Sequence, residues 1–231
     1  HRSRGKLLNN ALLELTNKPH DIATNAEARK KWKGEAVVIH TENERRKSKK
    51  LATAKTIYTA EKFLGKTFYF PHTGDFRMRA YSVVPYLNPQ GTDYAKALLL
   101  FAEGKPLGKS GAKYLAIHLA NTYGNDKLPL NERVQWAHDN TEVILRCSDQ
   151  PFQENFWEQA EDPWTFLAAC IEWAGYIKQG ESYISHLPVS SDGSCNGLQH
   201  FSAMLRDEVG GKAVNLTNAA QPQDIYTEVL E

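Results

Sequence analysis

A single carboxylate, Asp192, lies where the sequence pattern changes from that of a strand to that of a helix. Before it, alternate residues would share one face of an extended segment, and these are Leu187, Val189 and Ser191. After it, apolar residues recur at helical spacing, at Leu198, Phe201, Met204 and Leu205. The pattern therefore predicts that Asp192 ends a strand and precedes a turn into a buried helix. Asn196 and Gln199 have the spacing of a capping pair at the start of that helix.

Three kinds of role suit a carboxylate at such a place. Asp192 could cap the following helix, as short acidic side chains commonly do. It could act as a general base, although no partner carboxylate lies close to it in the sequence. It could also bind a hard cation such as Mg²⁺ with help from the backbone carbonyl of Gly193, where the absence of a side chain allows close approach. The residue pattern alone leaves these alternatives open.

A long basic helix is predicted over residues 25–63, where apolar positions recur at helical spacing. Residues 27–66 hold 12 Lys or Arg against 5 Asp or Glu, a net charge of +7. The most basic stretch, residues 44–55, includes Lys47, Lys49 and Lys50. Such a helix is either a solvated face or a surface that contacts the phosphates of a nucleic-acid duplex.

A second basic element follows a predicted strand at residues 67–70 and a predicted turn at 71–74. If the chain is extended from Asp75, then Asp75, Arg77 and Arg79 lie on one face. Two guanidinium groups on one face suit phosphates, because each offers a planar fork of donors. The alternative is an Asp–Arg ion pair at a sheet edge.

The bulk composition is that of a globular protein, with 231 residues, 41% hydrophobic and 24% charged, and a net charge of +1. Three cysteines without paired spacing argue against a disulfide framework or a zinc site. No apolar run is long enough to predict a membrane span. Because the chain begins at His1 and ends at Glu231 within a helical pattern, we interpret it as a fragment.

The remaining periodicity predicts an α+β fold that is mostly helical. Further helices are predicted over residues 3–16, 94–102, 112–123, 131–147, 164–176 and from 222 onward, with a short strand at 213–216. His118 is interpreted as a packed or partly exposed helix residue rather than a ligand. Aromatic residues can stack on bases, but in apolar helices they are more often core, and this is the interpretation for Trp157, Trp164 and Trp173.

The run DGSCNGLQHFSAMLRDEVGGKAVNL, residues 192–216, closely resembles the first palm motif of single-subunit DNA-directed RNA polymerases. These are the enzymes of T-odd bacteriophages and, more distantly, of mitochondria and chloroplasts. In that family the Asp matching Asp192 is catalytic and binds the two Mg²⁺ ions, assisted by the backbone carbonyl matching Gly193. The resemblance therefore favours metal binding over capping. It also suggests that Gln199 and His200 hold the motif in place. Cys195, near a helix start, could be a reactive thiol, but a packing role is the preferred interpretation.

The resemblance extends upstream to the other basic elements. The family has a helical thumb before its palm, and the basic helix with Lys47, Lys49 and Lys50 fits that place. The implied domains are a thumb-like segment at residues 1–65 and an incomplete right-hand palm with a helical insertion at 66–231. The stretch with Asp75, Arg77 and Arg79 resembles a family motif, Asp-x-Arg-Gly-Arg, that contacts nucleic acid near the active site. Met78 stands where the family usually has Gly, which puts the local backbone geometry in doubt.

The implied function is template-directed ribonucleotide transfer with Mg²⁺ as the cofactor. The implied partners are a DNA template and promoter, the RNA product and ribonucleoside triphosphates, with no membrane. A monomer in the cytoplasm of the infected bacterial host is expected.

The family's second metal-binding Asp, its triphosphate-binding Lys and its sugar-selecting Tyr lie downstream and match nothing in this chain, so the isolated chain is expected to be inactive. Asp207 is not expected to replace the second Asp. It lies 11 positions after Asn196 in the predicted helix, which corresponds to a distance of roughly 16 Å along the helix axis. In the related DNA polymerases, the helix after the equivalent Asp carries a bulky Glu that blocks the 2′-hydroxyl of the nucleotide. No such Glu follows Asp192, which favours ribonucleotides. The alternatives are an organellar enzyme of the same family and a non-catalytic nucleic-acid-binding remnant.

Overall fold

The computed structural model describes residues 13–15, 18–77, 79–190, 193–217 and 222–228. The α-helices in these ranges are α1 (Ala26–Phe63), α2 (Asp93–Ala97), α3 (Gly108–Tyr123), α4 (Leu130–Asp139), α5 (Thr141–Asp149), α6 (Pro163–Gln179), α7 (Asn196–Leu205), α8 (Glu208–Ala213) and α9 (Ile225–Glu228). The strands are β1 (His72–Gly74), β2 (Ala80–Ser82), β3 (Lys105–Pro106) and β4 (Ile184–Ser185). Short 3₁₀ helices lie at Phe156–Gln159 and Gly180–Ser182. The expected α+β, mostly helical class is confirmed.

The chain divides into two compact units, His1–Gly91 and Thr92–Glu231. Most of the helix predicted over residues 3–16 lies outside the described residues, and its described part, 13–15, has no regular structure. The thumb-like and palm-like assignments, with their boundary between residues 65 and 66, remain predictions.

The first unit is dominated by α1, a helix of 38 residues and roughly 57 Å in length. It begins at Asn25, whose side-chain oxygen accepts a hydrogen bond from the backbone N–H of Ala28 at 3.0 Å. It ends before Gly65, which adopts a left-handed conformation (φ 71°). The predicted basic helix is therefore confirmed. Little of it is buried, and its buried residues are Ala36, Thr53 and Thr56.

A two-stranded antiparallel hairpin follows, and here the predicted positions of the strand and the turn are wrong. Strand β1 occupies His72–Gly74, where a turn was predicted, and pairs with β2 from His72–Ser82 to Gly74–Ala80. Residues 67–70, predicted as a strand, have no regular structure. The physical reason is the choice of partner, because β2 pairs with His72–Gly74 and not with residues 67–70, while the Phe68 ring packs against Phe63 and Phe70 with ring centroids 4.8 and 5.3 Å apart.

The second unit is built around a helical core. Helix α3 packs against α4 and α6, and α5 packs against α6. The largest fully buried side chains of this core are Trp157, Trp173, Phe166, Leu115 and Leu119. The helices predicted over 112–123 and 164–176 are confirmed, and Gly180 ends α6 as expected. Trp164 is half-buried against Trp157, so the interpretation of the three tryptophans as core residues is confirmed.

Two predicted helices differ in the structure. The helix predicted over residues 131–147 is broken at Asn140, where the backbone leaves helical geometry (φ −96°, ψ 8°) and the side chain donates to the carbonyl of Trp136 at 2.8 Å. The helix predicted over 94–102 is only Asp93–Ala97, because Phe101 instead donates its N–H to the carbonyl of His186 at 2.8 Å. Local periodicity could not reveal this partner 85 residues away.

The strand predicted over residues 213–216 is wrong, because α8 extends to Ala213 and a turn follows it. The helix predicted after residue 222 is confirmed over Ile225–Glu228. Across the ranges that the structure describes, no helix combines the length and apolar character needed to cross a membrane.

Candidate functional site

The segment that leads to Asp192 is held in an extended conformation by residues 101–107. Strand β4 pairs with β3, with Ser185 opposite Lys105. Leu107 donates its N–H to the carbonyl of Tyr183 at 2.9 Å, and the ring of His186 lies 2.7 Å from the carbonyl oxygen of Phe101. The strand predicted through Leu187 and Val189 is wrong, because regular pairing covers only Ile184 and Ser185 and residues 186–190 have no regular structure. Ser191 and Asp192 lie outside the described residues, so the position of the candidate catalytic carboxylate remains a prediction.

The turn after Asp192 leads into α7 and leaves no room for a side chain at Gly193. Cys195 precedes α7 in a left-handed conformation (φ 53°) and provides no side-chain cap. The predicted capping pair is wrong, because the side-chain oxygens of Asn196 and Gln199 face Gly193 instead. A Cβ atom added to Gly193 would lie 2.3 Å from Asn196 Oδ1 and 2.9 Å from Gln199 Oε1. Glycine is therefore required here by the close approach of two side chains.

Residues 214 and 215 anchor this turn from the other side. Gln199 Nε2 donates to the carbonyl of Val214 at 2.7 Å, which is consistent with the expected role of Gln199 in holding the motif. Asn215 Nδ2 donates to Ser194 Oγ at 2.8 Å. Cys195 is half-buried, and a hydrogen bond between its thiol and the Tyr226 hydroxyl raises the pKa of Tyr226. Sequence reasoning missed Asn215, although it lies within the run that carries the family resemblance.

Helix α7 is not buried as predicted. Phe201 is 60% exposed and Met204 76% exposed, while Ser202 is buried. The reason is that α7 packs mainly against the short helix α8. Its apolar stripe therefore faces outward.

Asp207 caps α8, with its carboxylate accepting hydrogen bonds from the N–H groups of Val209 and Gly210 at 3.0 and 3.2 Å. It therefore has a structural role at a helix start. Among the described residues, no group of three or more His, Cys, Asp or Glu side chains could hold a metal ion. The donors predicted for Mg²⁺, the Asp192 carboxylate and the Gly193 carbonyl, are oxygens and so fit a hard cation chemically.

The first unit presents the arginine motif on the loop between β1 and β2, and not on an extended strand as predicted. Asp75 Oδ1 accepts from the N–H groups of Arg77 and Arg79 at 2.8 and 3.0 Å. The bond from Arg79 is the main cause that lowers the pKa of Asp75. The Arg77 guanidinium pairs with Asp75 Oδ2 at 3.1 Å, so the predicted alternative of an ion pair is confirmed for Arg77. The Arg79 side chain is exposed, and Met78 lies outside the described residues.

Gln90 supports this hairpin and was also missed. Its side-chain Oε1 accepts from the N–H of Ser82 at 2.7 Å, and its Nε2 donates to the carbonyl of Ala80 at 2.8 Å. One carboxamide therefore satisfies two outward-facing backbone groups of β2. Gln90 thus makes two of the hydrogen bonds that a third strand would make to β2.

The lysines of α1 are all exposed. Lys47 forms an ion pair with Glu44 at 2.8 Å, which lowers the pKa of Glu44. Within the described part of α1, no ion pair involves Lys49 or Lys50. These two ammonium groups are therefore the more accessible to an anionic partner.

The chain matches known proteins over most of its length. Residues 105–231 match the model of the family described as DNA-dependent RNA polymerase. The chain is 45% identical to T7 RNA polymerase of Escherichia phage T7 over 214 residues, which is 92% of this chain and 24% of that protein. It is 45% identical to the DNA-directed RNA polymerase of Enterobacteria phage T3 over 94% of this chain and 25% of that protein. It is also 44% identical to the mitochondrial DNA-directed RNA polymerase of Neurospora crassa over 87% of this chain and 14% of that protein.

The chain thus spans about a quarter of the length of the phage relatives and less of the mitochondrial one. The match to the family model includes both strands of the β3–β4 pairing and residues 192–216, which carry the predicted motif. The predicted resemblance to the single-subunit RNA polymerases is confirmed. The chain belongs to the DNA-dependent RNA polymerase family.

Proposed function

We propose that this chain is the part of a single-subunit RNA polymerase that supplies the first catalytic carboxylate, Asp192. The observation that carries the proposal is the hydrogen-bonded turn that directly follows that residue. Gly193 lies against the side-chain oxygens of Asn196 and Gln199, and Ser194 accepts a hydrogen bond from Asn215. Upstream, β4 ends at Ser185, paired with β3. A turn that is already ordered loses little conformational freedom when a ligand binds, which favours preorganised catalysis.

Mg²⁺ is the proposed cofactor. The Asp192 carboxylate and the Gly193 carbonyl would hold it, together with a second carboxylate from another part of the polymerase. Bound Mg²⁺ supplies charge neutralisation at a reacting phosphate. The proposed role of this chain is to present hard oxygen donors at a turn where Gly193, which has no side chain, allows close approach. Cys195 and His200 take no part in the chemistry.

The nucleic-acid contacts are proposed for exposed cations of the first unit. Arg79, Lys49 and Lys50 contact phosphates of the template–product hybrid, with smaller contributions from Arg77 and Lys47, because both are already in ion pairs. Asp75 shapes the arginine loop through its backbone hydrogen bonds and does not itself attract phosphate. We propose residues 1–65 as thumb-like and 66–231 as an incomplete palm.

The proposed substrates are ribonucleoside triphosphates, and the proposed partners are a DNA template with its promoter and the RNA product. A monomer acting in the cytoplasm of an infected bacterial host agrees with the phage relatives. An organellar enzyme is the second candidate, because the Neurospora relative is 44% identical and so nearly as similar as the phage proteins.

The proposal is tested in a chimera in which this chain replaces the matching segment of T7 RNA polymerase. We expect the chimera to extend an RNA primer on a DNA template with ribonucleotides, and to need both the template and Mg²⁺. The isolated chain should not extend the primer. A folded, soluble chimera that binds the hybrid but never extends it would contradict the catalytic proposal and favour a non-catalytic binding module.

A further inference from the structure

A pocket of about 430 Å³ lies in the second unit, where α3, α4, α6 and the 3₁₀ helix Gly180–Ser182 meet. Its volume is within the range of pockets that bind small molecules, roughly 300–1,000 Å³. All of the residues that line it belong to this unit, which has its own helical core. The 231-residue chain therefore contains every side chain of the pocket.

Helix α3 gives the pocket positive charge. Lys109 and Lys113 are four positions apart, so both ammonium groups lie on the same face of that helix. Both side chains are exposed, and among the described residues neither forms an ion pair. The lining contains one carboxylate, that of Glu181, against these two cations. Two unpaired ammonium groups on one face favour an anionic group such as a phosphate.

Helices α4 and α6 give the pocket a group of aromatic rings in contact with one another. The Trp173 ring packs against the rings of Tyr176 and His138, with ring centroids 5.2 and 5.3 Å apart. Trp173 is fully buried, whereas Tyr176 is half-buried and His138 is exposed, so these two present ring surface to the pocket. Accessible aromatic rings stack on planar groups such as nucleic-acid bases.

The cationic and aromatic parts of the lining together favour a nucleotide. A simple anion would use the lysines and leave the rings without a contact. An apolar ligand would bury the ammonium groups without a partner, which costs free energy. A nucleotide joins a planar base to a phosphate and so contacts both parts at once. The lining also contains Asn131, whose carboxamide can both donate to and accept from the edge of a base.

We propose that this pocket binds a nucleotide, with the phosphate on Lys109 and Lys113 and the base against Tyr176 and His138. The nucleotide is either free or part of a single-stranded nucleic acid, since both carry a base and a phosphate. The inference shares no residue with the proposed function, so either of them can fail without the other.

The test measures binding by NMR on the 231-residue chain, with AMP as the probe and without divalent cations. We expect AMP to shift the backbone amide signals of Lys113 and Tyr176 and the indole N–H signal of Trp173. Inorganic phosphate and adenosine each carry one part of AMP. Each should bind at least about tenfold more weakly than AMP, because each loses one of the two sets of contacts.

Two variants separate the cationic and aromatic parts of the pocket. Lys109→Ala combined with Lys113→Ala should weaken AMP binding about tenfold or more, because both phosphate contacts are lost. The matched control, Lys96→Ala combined with Lys127→Ala, removes the same charge from exposed lysines outside the lining and should leave AMP binding unchanged. Tyr176→Leu should weaken AMP binding severalfold without changing the affinity for inorganic phosphate.

A 5′-phosphorylated trinucleotide of adenosine distinguishes the two sources of the ligand. Tighter binding than that of AMP, at the same signals, assigns the pocket to a single strand, and equal or weaker binding assigns it to free nucleotides.

The inference is wrong if AMP leaves the signals of the pocket unchanged, or if inorganic phosphate or adenosine binds as tightly as AMP. It is also wrong if the variant with both pocket lysines replaced binds AMP as tightly as its matched control. If Tyr176→Leu does not fold, as judged from its circular dichroism, the lysine variants and the comparison with adenosine decide the question.

Discussion

At the scale of single residues, His118 shows how burial creates a pH response. Its side chain is 3% exposed in α3, and within the described residues its Nε2 has no hydrogen-bond partner. Burial lowers the pKa of His118 from 6.5 to about 4. The sequence-based interpretation of a packed histidine is therefore confirmed, and the neutral imidazole is the form that the fold accommodates.

Acid should destabilise the chain through this residue. The unfolded chain takes up the His118 proton below pH 6.5, whereas the folded chain takes it up only near pH 4, so stability falls as the pH is lowered through this window. Between pH 7.5 and 4.5 the loss from this residue should be about 2.5 kcal/mol. Urea unfolding of the unaltered chain and of His118→Leu measures the difference. An identical pH slope in the two proteins would contradict the assignment.

Gly175 in α6 should not tolerate a side chain. A Cβ atom there would lie 2.3 Å from two ring atoms of Tyr183, the residue just before β4. Gly175→Ala should therefore lower the free energy of unfolding by about 1–3 kcal/mol. Gly34→Ala is the matched control, because nothing lies within 4 Å of that position in α1 and the substitution should stabilise the helix. Thermal unfolding of both variants tests the contrast, which equal shifts would refute.

At the scale of elements, α6 begins with a cap that sequence proximity does not indicate. Asp93 accepts hydrogen bonds from the N–H groups of Trp164 and Thr165 at 2.8 and 2.9 Å, and from the Thr165 hydroxyl at 2.6 Å. Asp162, which directly precedes the helix, makes no side-chain cap. A residue about 70 positions away thus satisfies the first backbone donors of the core helix.

Asp93→Ala should lower the free energy of unfolding by about 1–2 kcal/mol, because the half-buried first turn of α6 loses its acceptor. Asp162→Ala removes the same charge from the same region and should change stability little. Chemical denaturation with a fluorescence readout compares the two. A larger effect for Asp162→Ala than for Asp93→Ala would show that the cap has been assigned to the wrong residue.

The exposed lysines of α1 should set the salt dependence of nucleic-acid binding. Each phosphate contact contributes a slope of about 0.9 in a plot of log affinity against log salt concentration. The double variant Lys49→Ala with Lys50→Ala should therefore reduce the slope for an RNA–DNA hybrid by about 2. Lys127→Ala, an exposed lysine paired with Asp126, serves as the control. An unchanged slope in the double variant would exclude these lysines from the interface.

The sequence predicted these elements unevenly, for physical reasons. Long helices such as α1 and α6 were predicted because their periodicity extends over many residues. The strand and turn before Asp75 were predicted at the wrong positions. The Asp75 side chain and the Gln90 carboxamide hold the hairpin where it forms, and such side-chain hydrogen bonds leave no periodic pattern in the sequence. The prediction that α7 is buried was wrong, because an apolar stripe on a helix does not reveal whether another element packs against it.

At the scale of the whole molecule, the helical core of the second unit is followed along the chain by the turn at Gly193, next to the proposed catalytic carboxylate. The role proposed for Asp192 rests on the resemblance of residues 192–216 to a family motif, since the residue pattern alone left a helix cap, a general base and a metal ligand open. The structure adds two hydrogen bonds that the pattern could not supply, from Gln199 to the carbonyl of Val214 and from Asn215 to the hydroxyl of Ser194. Those bonds connect residues 15 and 21 positions apart, beyond the reach of local spacing rules.

The most direct test of the central claim compares two aspartates in the chimera with T7 RNA polymerase. Asp192→Asn removes the proposed metal-binding charge, and primer extension should fall by at least about 10³-fold, because a contact with the reacting centre is lost. Asp207→Asn should stay active, because Asn caps a helix as well as Asp does. Extension by Asp192→Asn at a rate close to that of the Asp207→Asn chimera would contradict the account.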